Sequence, residues 1–358
     1  QAQGSLAVVP MQYKDQISPQ RRFMEDAIGK RLQEVAITAQ DVHIAQTCLK
    51  ELARTVQKLG FSLRVRPFGS IANGFARHGA DIDATCSRFD KDDKGDDPSP
   101  DPQELLDRVV ALMRDSADFT INDQIRGARI PLLKLRYKGT IDVDLSFQNV
   151  VPLKNTQLLR SYVSFGFKVR DVGVLVKLWA EAAGVLGATK GFLSAYSFTL
   201  MVVYFLQVEP AIRLPVLPTA TFKGEVGVPA AVQAMTWHCS LDRSELLLRF
   251  FNFYAQEFQW GAEVVSVRIG RRCLASNEVF SELRGRFTRR LHIEDPFLLD
   301  RNLHCVLWLD QEYTLYQRIQ EAYQVLRRGS LPEGLWPGEE AGQHWSPTAD
   351  FSKPAAAS

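Results

Sequence analysis

Metal-cage and disulfide spacings are missing from this sequence. Its five cysteines (Cys48, Cys86, Cys239, Cys273 and Cys305) are an odd, scattered set without a C-x-x-C pair, which excludes a zinc ribbon and a disulfide framework. The adjacent pairs His238-Cys239 and His304-Cys305 lack the second spaced pair that a structural zinc site requires, so they read as packing residues. Long hydrophobic runs are missing too. The most apolar stretch, residues 193–208, is interrupted by Ser194, Ser197, Thr199 and Gln207, too short and too polar for a membrane span, and reads as a buried helix. Charge of one sign is scarce: 43 Lys plus Arg against 41 Asp plus Glu leave +2, so any nucleic-acid contact must come from a local patch. With 23 Gly and 17 Pro in 358 residues there is no collagen-like or low-complexity bias. The chain begins Gln1-Ala2-Gln3, and no targeting segment is read from it. What remains is an ordinary globular composition, long enough for two lobes.

Apolar residues at helical spacing (Val42, Ala45, Leu49, Leu52, Val56) behind Asp41 predict a helix over 41–59 ending at Gly60. The period then shortens to that of a strand through Phe61, Leu63, Val65 and Phe68, broken at Gly69-Ser70, with a second strand around 82–86. Residues 88–103, rich in Asp and Pro, predict a surface loop, followed by a helix over 103–115. Strands are expected near 129–137 and 140–147. From about 151 the pattern is mainly helical, with apolar stripes at 172–183, 194–208, 245–258 and 313–326, and the segment after Ser330 is expected to be extended or disordered.

The chemistry gathers at Phe68-Gly69-Ser70, ten residues, then Asp81-Ile82-Asp83. Side chains alternate on a strand, so Asp81 and Asp83 share a face and can bridge a pair of divalent ions about 3.5 to 4 Å apart. Magnesium is the expected ion, with manganese a substitute, because it takes one or two carboxylates plus substrate phosphates. Gly69 permits a tight turn and Ser70 adds a hydroxyl and an amide toward phosphate. The strand Ile141-Asp142-Val143-Asp144-Leu145-Ser146-Phe147 supplies a third carboxylate, Asp144, with Asp142 as its competitor. The plainer alternative is a turn followed by solvent-facing aspartates; two acids on one face of a core-packing strand argue against it.

These segments resemble the signature of the DNA polymerase β-like nucleotidyltransferase superfamily. Downstream, residues 155–162, 176–180, 193–196, 250–254, 265–270 and 293–297 resemble the noncanonical poly(A) polymerases and terminal uridylyltransferases, in the same order. Among them the compact trypanosomal mitochondrial uridylyltransferases, in particular the kind associated with an editosome-like complex, are the most similar, since no large domain separates Asp83 from Asp144. The resemblance implies an α+β fold of two lobes: a mixed-sheet catalytic domain (38–150) and a mainly helical domain (1–37 with 151–330), the active site between them and a tail at 331–358. It implies addition of UMP from UTP to the 3'-hydroxyl of single-stranded RNA. A poly(A) polymerase using ATP is the alternative, and a silent RNA-binding scaffold subunit the alternative of another class. An RNA-editing or RNA-processing complex and a mitochondrial location follow from the same resemblance, and no membrane partner does.

By resemblance, Asp81, Asp83 and Asp144 are catalytic and metal-binding. Gly69, Ser70, Asn155, Thr156, Lys177, Ser194, Tyr196, Asp295 and Arg301 bind the nucleotide, with Asn155 and Thr156 at the ribose, Lys177 at the phosphates and Tyr196 stacked on the base. Arg129, Arg268, Arg271 and Arg272 are expected to bind RNA, the last three within a run of seven arginines over residues 268–290. Three positions depart from the family: Glu181 where a second lysine is usual, Ala195 where a serine precedes the tyrosine, and Leu298 where many uridylyltransferases hold a glutamate. Arg301 with Asp295 is offered as the replacement reader of uracil, a structural ion pair being the alternative.

Overall fold

The computed structural model describes residues 18–59, 63–88 and 100–338. The calls on Gly60, Phe61, most of the acidic loop and the tail beyond 338 lie outside them. Helix α1 (Pro19–Glu34) is followed by α2 (Ala39–Gln57), opened by a capping box between Thr38 and Asp41. Then come β1 (Leu63–Phe68), the single turn α3 (Gly69–Asn73), β2 (Ile82–Arg88), α4 (Pro102–Arg114), β3 (Phe119–Ile125), β4 (Leu132–Tyr137) and β5 (Ile141–Phe147). The five strands form one mixed sheet in the order β1-β2-β5-β4-β3, parallel only between β2 and β5. α2 and α4 cover it, and their buried residues (Leu52, Val56, Leu106, Val109) join Ile82, Ala84, Val143 and Leu145 in a core of their own.

The second lobe contains α5 (Val151–Val163), α6 (Phe167–Ala182), α7 (Ala195–Val208), the short α8 (Ala230–Gln233), α9 (Arg243–Asn252) continued by a π-helical turn, and α10 (Leu309–Arg327). α7 is apolar all round, as a helix buried on every side must be, and no helix among the described residues is long and apolar enough to cross a membrane. α1 packs into this lobe through Met24, Ala27, Ile28 and Leu32, although α2 belongs to the sheet lobe. The chain therefore enters the helical lobe, leaves it to build the sheet lobe, and returns. Residues 331–338, expected to be part of a loose tail, are instead packed: Leu331 and Leu335 are buried in the helical core, because their side chains close over α1 and α6.

Phe75 couples the lobes. It follows α3 in the sheet lobe yet is buried in the helical core, against Gly173 of α6, where a Cβ would stand only 2.4 Å from its ring. Lys177 Nζ donates to the Phe75 carbonyl (3.1 Å), Arg160 to the Ala72 carbonyl (2.9 Å), and the Gly69 amide to Thr156 Oγ1 (3.1 Å). The turn after β1 is thus held from both sides.

Candidate active site

The register of the sheet brings the carboxylates together. β2 and β5 are aligned so that Asp83 lies directly beside Asp144, while β4 places Lys134 opposite Asp144 and Arg136 opposite Asp142. Asp142 is occupied, accepting from Arg136 at 2.9 Å; Asp144 is only loosely met by Lys134 Nζ at 3.6 Å. Asp81 stands at the exposed rim one residue outside the strand. Gly69, at φ +71°, lets the backbone pass so close to Asp83 that an added Cβ would lie 1.9 Å from its Oδ2.

Burial and the neighbouring Asp144 and Asp81 push the Asp83 carboxyl up to about 7, against the pull of Lys177 and Lys134. Asp81 is raised as well, by desolvation first and then by Asp142 and Asp144. Carboxylates gathered this closely are an anionic cluster short of a cation. Among the described residues no three His, Cys, Asp or Glu side chains are drawn into a closed metal cage. The donor set instead suits an ion that completes its shell with phosphate oxygens and water, as magnesium does. Because Asp144 faces Asp83 and Asp142 faces Arg136, Asp144→Asn is expected to lower kcat about 10²-fold with little change in nucleotide KM, whereas Asp142→Asn costs far less. A larger loss in the Asp142 variant, measured by steady-state kinetics, would reverse the assignment.

A cavity of about 430 Å³ opens from these acids into the space between the lobes. Gly69, Ser70, Asp83 and Lys177 line one end, and Ser194, Tyr196 and Arg301 are also on its wall. Asn155 and Thr156 reach it from α5; the Asn155 Oδ1 is buried without a partner, whereas Thr156 Oγ1 already accepts from Gly69. Ser194 is the N-cap of α7, accepting from the Ser197 amide at 3.2 Å, which commits its oxygen to the helix. Tyr196 is half-buried with its hydroxyl unpartnered, and desolvation, then the nearby Asp295, keep that phenol protonated. Burial brings the Lys177 amine down to about 8, with Arg77 adding to the shift and Glu181 and Asp83 opposing it. Glu181, the acid at the place where a lysine is usual, lies 2.8 Å from Arg77.

Several expected residues are placed elsewhere. Asp295 is fully buried and does not line the cavity: its Oδ1 accepts from the Phe297 and Leu298 amides (3.0 and 3.2 Å), and Arg301 stands 3.8 Å from its Oδ2. It shapes a turn under Arg301, so of the pair only Arg301 meets the nucleoside space. Arg268 is bound to Glu294 and Arg272 to Glu263, both acids being buried, so these two arginines are structural ties. Arg271 and Arg129 remain exposed. Lys134 and Arg77 were not singled out from the sequence; a lysine directly across from an alternating acid on the next strand was a usable signal for the first, and nothing local marks the second.

The mixed sheet, its paired acids and the helical lobe closing the cleft define a two-lobed nucleotidyltransferase fold. Residues 24–164 match the central palm domain of the mitochondrial-like poly(A) RNA polymerases, and residues 244–301 match the poly(A) polymerase-associated domain of the Cid1 family. These two matched segments relate the chain to the Cid1 and mitochondrial poly(A) polymerase families of DNA polymerase β-like nucleotidyltransferases. It is 27% identical over 300 residues to the poly(A) RNA polymerase GLD2-A of Xenopus laevis, covering 79% of this chain and 57% of that protein. It therefore spans little more than half the length of such relatives. In fold it is similar to a cytoplasmic RNA terminal U-transferase (TM-score 0.71, 22% identity, 86% of this chain and 94% of the other). It is equally similar to the mitochondrial poly(A) polymerase solved with UTP (0.73, 18%, 87% and 71%). These likenesses do not single out the trypanosomal editing enzymes toward which the motifs leaned.

Proposed function

We propose that the site transfers a nucleoside monophosphate from a ribonucleoside triphosphate to the 3'-hydroxyl of single-stranded RNA without a template, and that the favoured nucleotide is ATP. The observation that carries the transfer is the register of Asp83 beside Asp144 at the mouth of a cavity lined by Ser70, Lys177 and Tyr196. Asp81, Asp83 and Asp144 would hold magnesium, or manganese in its place, which when bound offsets charge on the entering and leaving oxygens. Asp144 accepts the hydroxyl proton, Asn155 Oδ1 is free to accept from the ribose 2'-hydroxyl, and Tyr196 lies against the base.

The choice of ATP over UTP is supported in two ways. The curated relative GLD2-A is a poly(A) polymerase, and Asp295, the acceptor expected to meet uracil's N3–H, is buried, spends one oxygen on its own turn and does not line the cavity. UTP is the second reading, favoured by Arg301 on the cavity wall, whose donors match uracil's O4. Incubating labelled single-stranded RNA with magnesium and each of the four nucleotides in turn, then in competition, tests both. No extension by any of them would defeat the proposal. Tyr196→Ala is expected to weaken all nucleotides together, since stacking is worth about 1 to 3 kcal/mol per base and tolerates any base. Arg301→Ala is expected to lower kcat/KM for UTP relative to ATP about tenfold, the worth of one good hydrogen bond. An unchanged ratio would make Arg301 purely structural. A mitochondrial setting and an RNA-processing assembly belong to the same proposal, supported by the family description over residues 24–164 and checked by fractionating cells that express the full-length protein.

A further inference from the structure

Beyond the aspartates the cleft continues into a second cavity of about 250 Å³. It shares Ser70, Asp83 and Lys177 with the nucleoside cavity, so the two adjoin at the aspartate end of the cleft. Its remaining walls come from the loop that leads into β2, residues 77–81. A triphosphate tail is a string of anionic oxygens and calls for cations along its length. Lys177 is one, but its ammonium already donates to the Phe75 carbonyl and acts as a point charge. His78 is turned to Asp41, 2.9 Å away. The other is Arg77.

Arg77 is held as a ligand-binding arginine needs to be. Its backbone bridges to Ala36 in the strap between α1 and α2, the next amide donates to the Val35 carbonyl (2.9 Å), and the His78 ring is tied to Asp41. The loop is therefore fixed on one side while the guanidinium stays partly exposed, with 24% of the side chain accessible. Across the cleft, one turn beyond Lys177 on α6, Glu181 brings Oε2 to 2.8 Å from Arg77 Nη2. That contact is close but outside hydrogen-bond geometry, and the buried Oε2 has no other partner. A carboxylate from the opposite lobe thus occupies, in poor geometry, a place on a guanidinium fork suited to a phosphate.

We propose that Arg77 binds the β- and γ-phosphates of the incoming nucleotide and the pyrophosphate that leaves, and that Glu181 is a placeholder which holds the guanidinium when no nucleotide is present. The inference rests on the nucleotidyl-transfer reading. In that reaction the RNA 3'-oxygen bonds to the α-phosphorus while the bond from the α-phosphorus to the bridging oxygen breaks. The electron pair leaves on pyrophosphate, and the hydroxyl proton passes to Asp144. The charge that accumulates on pyrophosphate is of the kind a guanidinium meets with two parallel donors. Because Arg77 and Glu181 lie on different lobes, exchange of the carboxylate for phosphate also removes an inter-lobe tie as the nucleotide enters.

The test compares binding of a non-hydrolysable α,β-imido triphosphate, the matching nucleoside, and inorganic pyrophosphate as product inhibitor. Wild type, Arg77→Ala, Arg77→Lys and Glu181→Gln are used as full chains, with melting curves as the folding control. Arg77→Ala is expected to weaken the triphosphate and pyrophosphate about tenfold or more and the nucleoside less than twofold, with Arg77→Lys recovering part of the loss. Glu181→Gln is expected to tighten the triphosphate two- to fivefold by removing the competitor. Equal losses for nucleoside and triphosphate in Arg77→Ala, unchanged pyrophosphate inhibition, or weaker triphosphate binding in Glu181→Gln would overturn the assignment. A wild-type chain that binds triphosphate through Arg77 yet extends no RNA would defeat the proposed function alone.

Discussion

Asp83→Asn is expected to lower nucleotide transfer by about 10³-fold or more, the scale of several kcal/mol of charge stabilisation removed with a metal ligand. It is also expected to make the metal-free protein more stable. Asp83 ionises in the fold only near pH 7, against 3.8 in its unperturbed state, because burial and Asp144 disfavour its charge. An acid shifted upward in this way costs stability once the pH exceeds its unfolded value, and the cost is complete above its folded one. The gain in melting temperature for Asp83→Asn should therefore be absent below about pH 4, grow through the interval, and level off above about 7. Magnesium should stabilise wild type more than the variant, and its apparent affinity for wild type should rise with pH up to about 7, as proton and cation compete for one carboxylate. Thermal melts at pH 4, 6 and 8, with and without magnesium, check this. Retained transfer, or a variant less stable than wild type at pH 8 without magnesium, would remove Asp83 from the centre of the site.

Gly69→Ala is the other change with a large expected effect, although it alters no functional group. Its new methyl would fall 1.9 Å from Asp83 Oδ2 and 2.9 Å from Asp83 Cβ, at a φ of +71° that L-residues avoid. Either the turn or the aspartate has to move, and the turn is pinned by Thr156, Arg160 and the buried Phe75. Displacement of Asp83 by about 1 Å is expected to reduce kcat about 10²- to 10³-fold. The backbone strain, about 1 to 3 kcal/mol, lowers the melting temperature by several degrees. Nucleoside binding at the Tyr196 end should survive. Loss of nucleoside affinity equal to the loss of kcat would indicate general collapse of the cleft.

How much of this was legible in the sequence depended on whether a residue's role was local. The spacing of Gly69-Ser70 to Asp81 and Asp83, and the alternation of residues 141–147, are properties of adjacent residues, and both pointed to the cleft. Asp144 was preferred to its competitor Asp142 by resemblance, since the residues alone do not show the inter-strand register, which puts Arg136 against Asp142 and Asp83 beside Asp144. β3 was missed since the short alternation of Phe119 and Ile121 is broken by a register shift before Asp123, and Asn122, Asp123 and Gln124 form a polar, mostly exposed edge. Asn155 and Thr156 lie in α5, where Pro152 occupies the first turn and needs no amide partner. The arginine run looked like a patch because Glu263 and Glu294, which neutralise two of its members, flank the run and do not fall within it. Arg77 and Glu181 are 104 positions apart, and neither belongs to a periodic pattern.

The route of the chain through the two lobes sets an order of events during translation. Everything in the sheet core lies between Ala45 and Phe147, so that lobe can complete itself while the rest is still being made. α1 emerges earlier and has to wait longest. Its buried Arg31 donates to the Gly334 carbonyl, Glu34 accepts from the Gly338 amide, and Gln20 reaches the Arg328 carbonyl, partners made long after the sheet lobe. Until α6 and α9 are made, Met24, Ile28 and Leu32 have no surface to join. α1 thus precedes the lobe it belongs to by the whole length of the sheet lobe, which makes it a segment of the growing chain in need of a chaperone's cover.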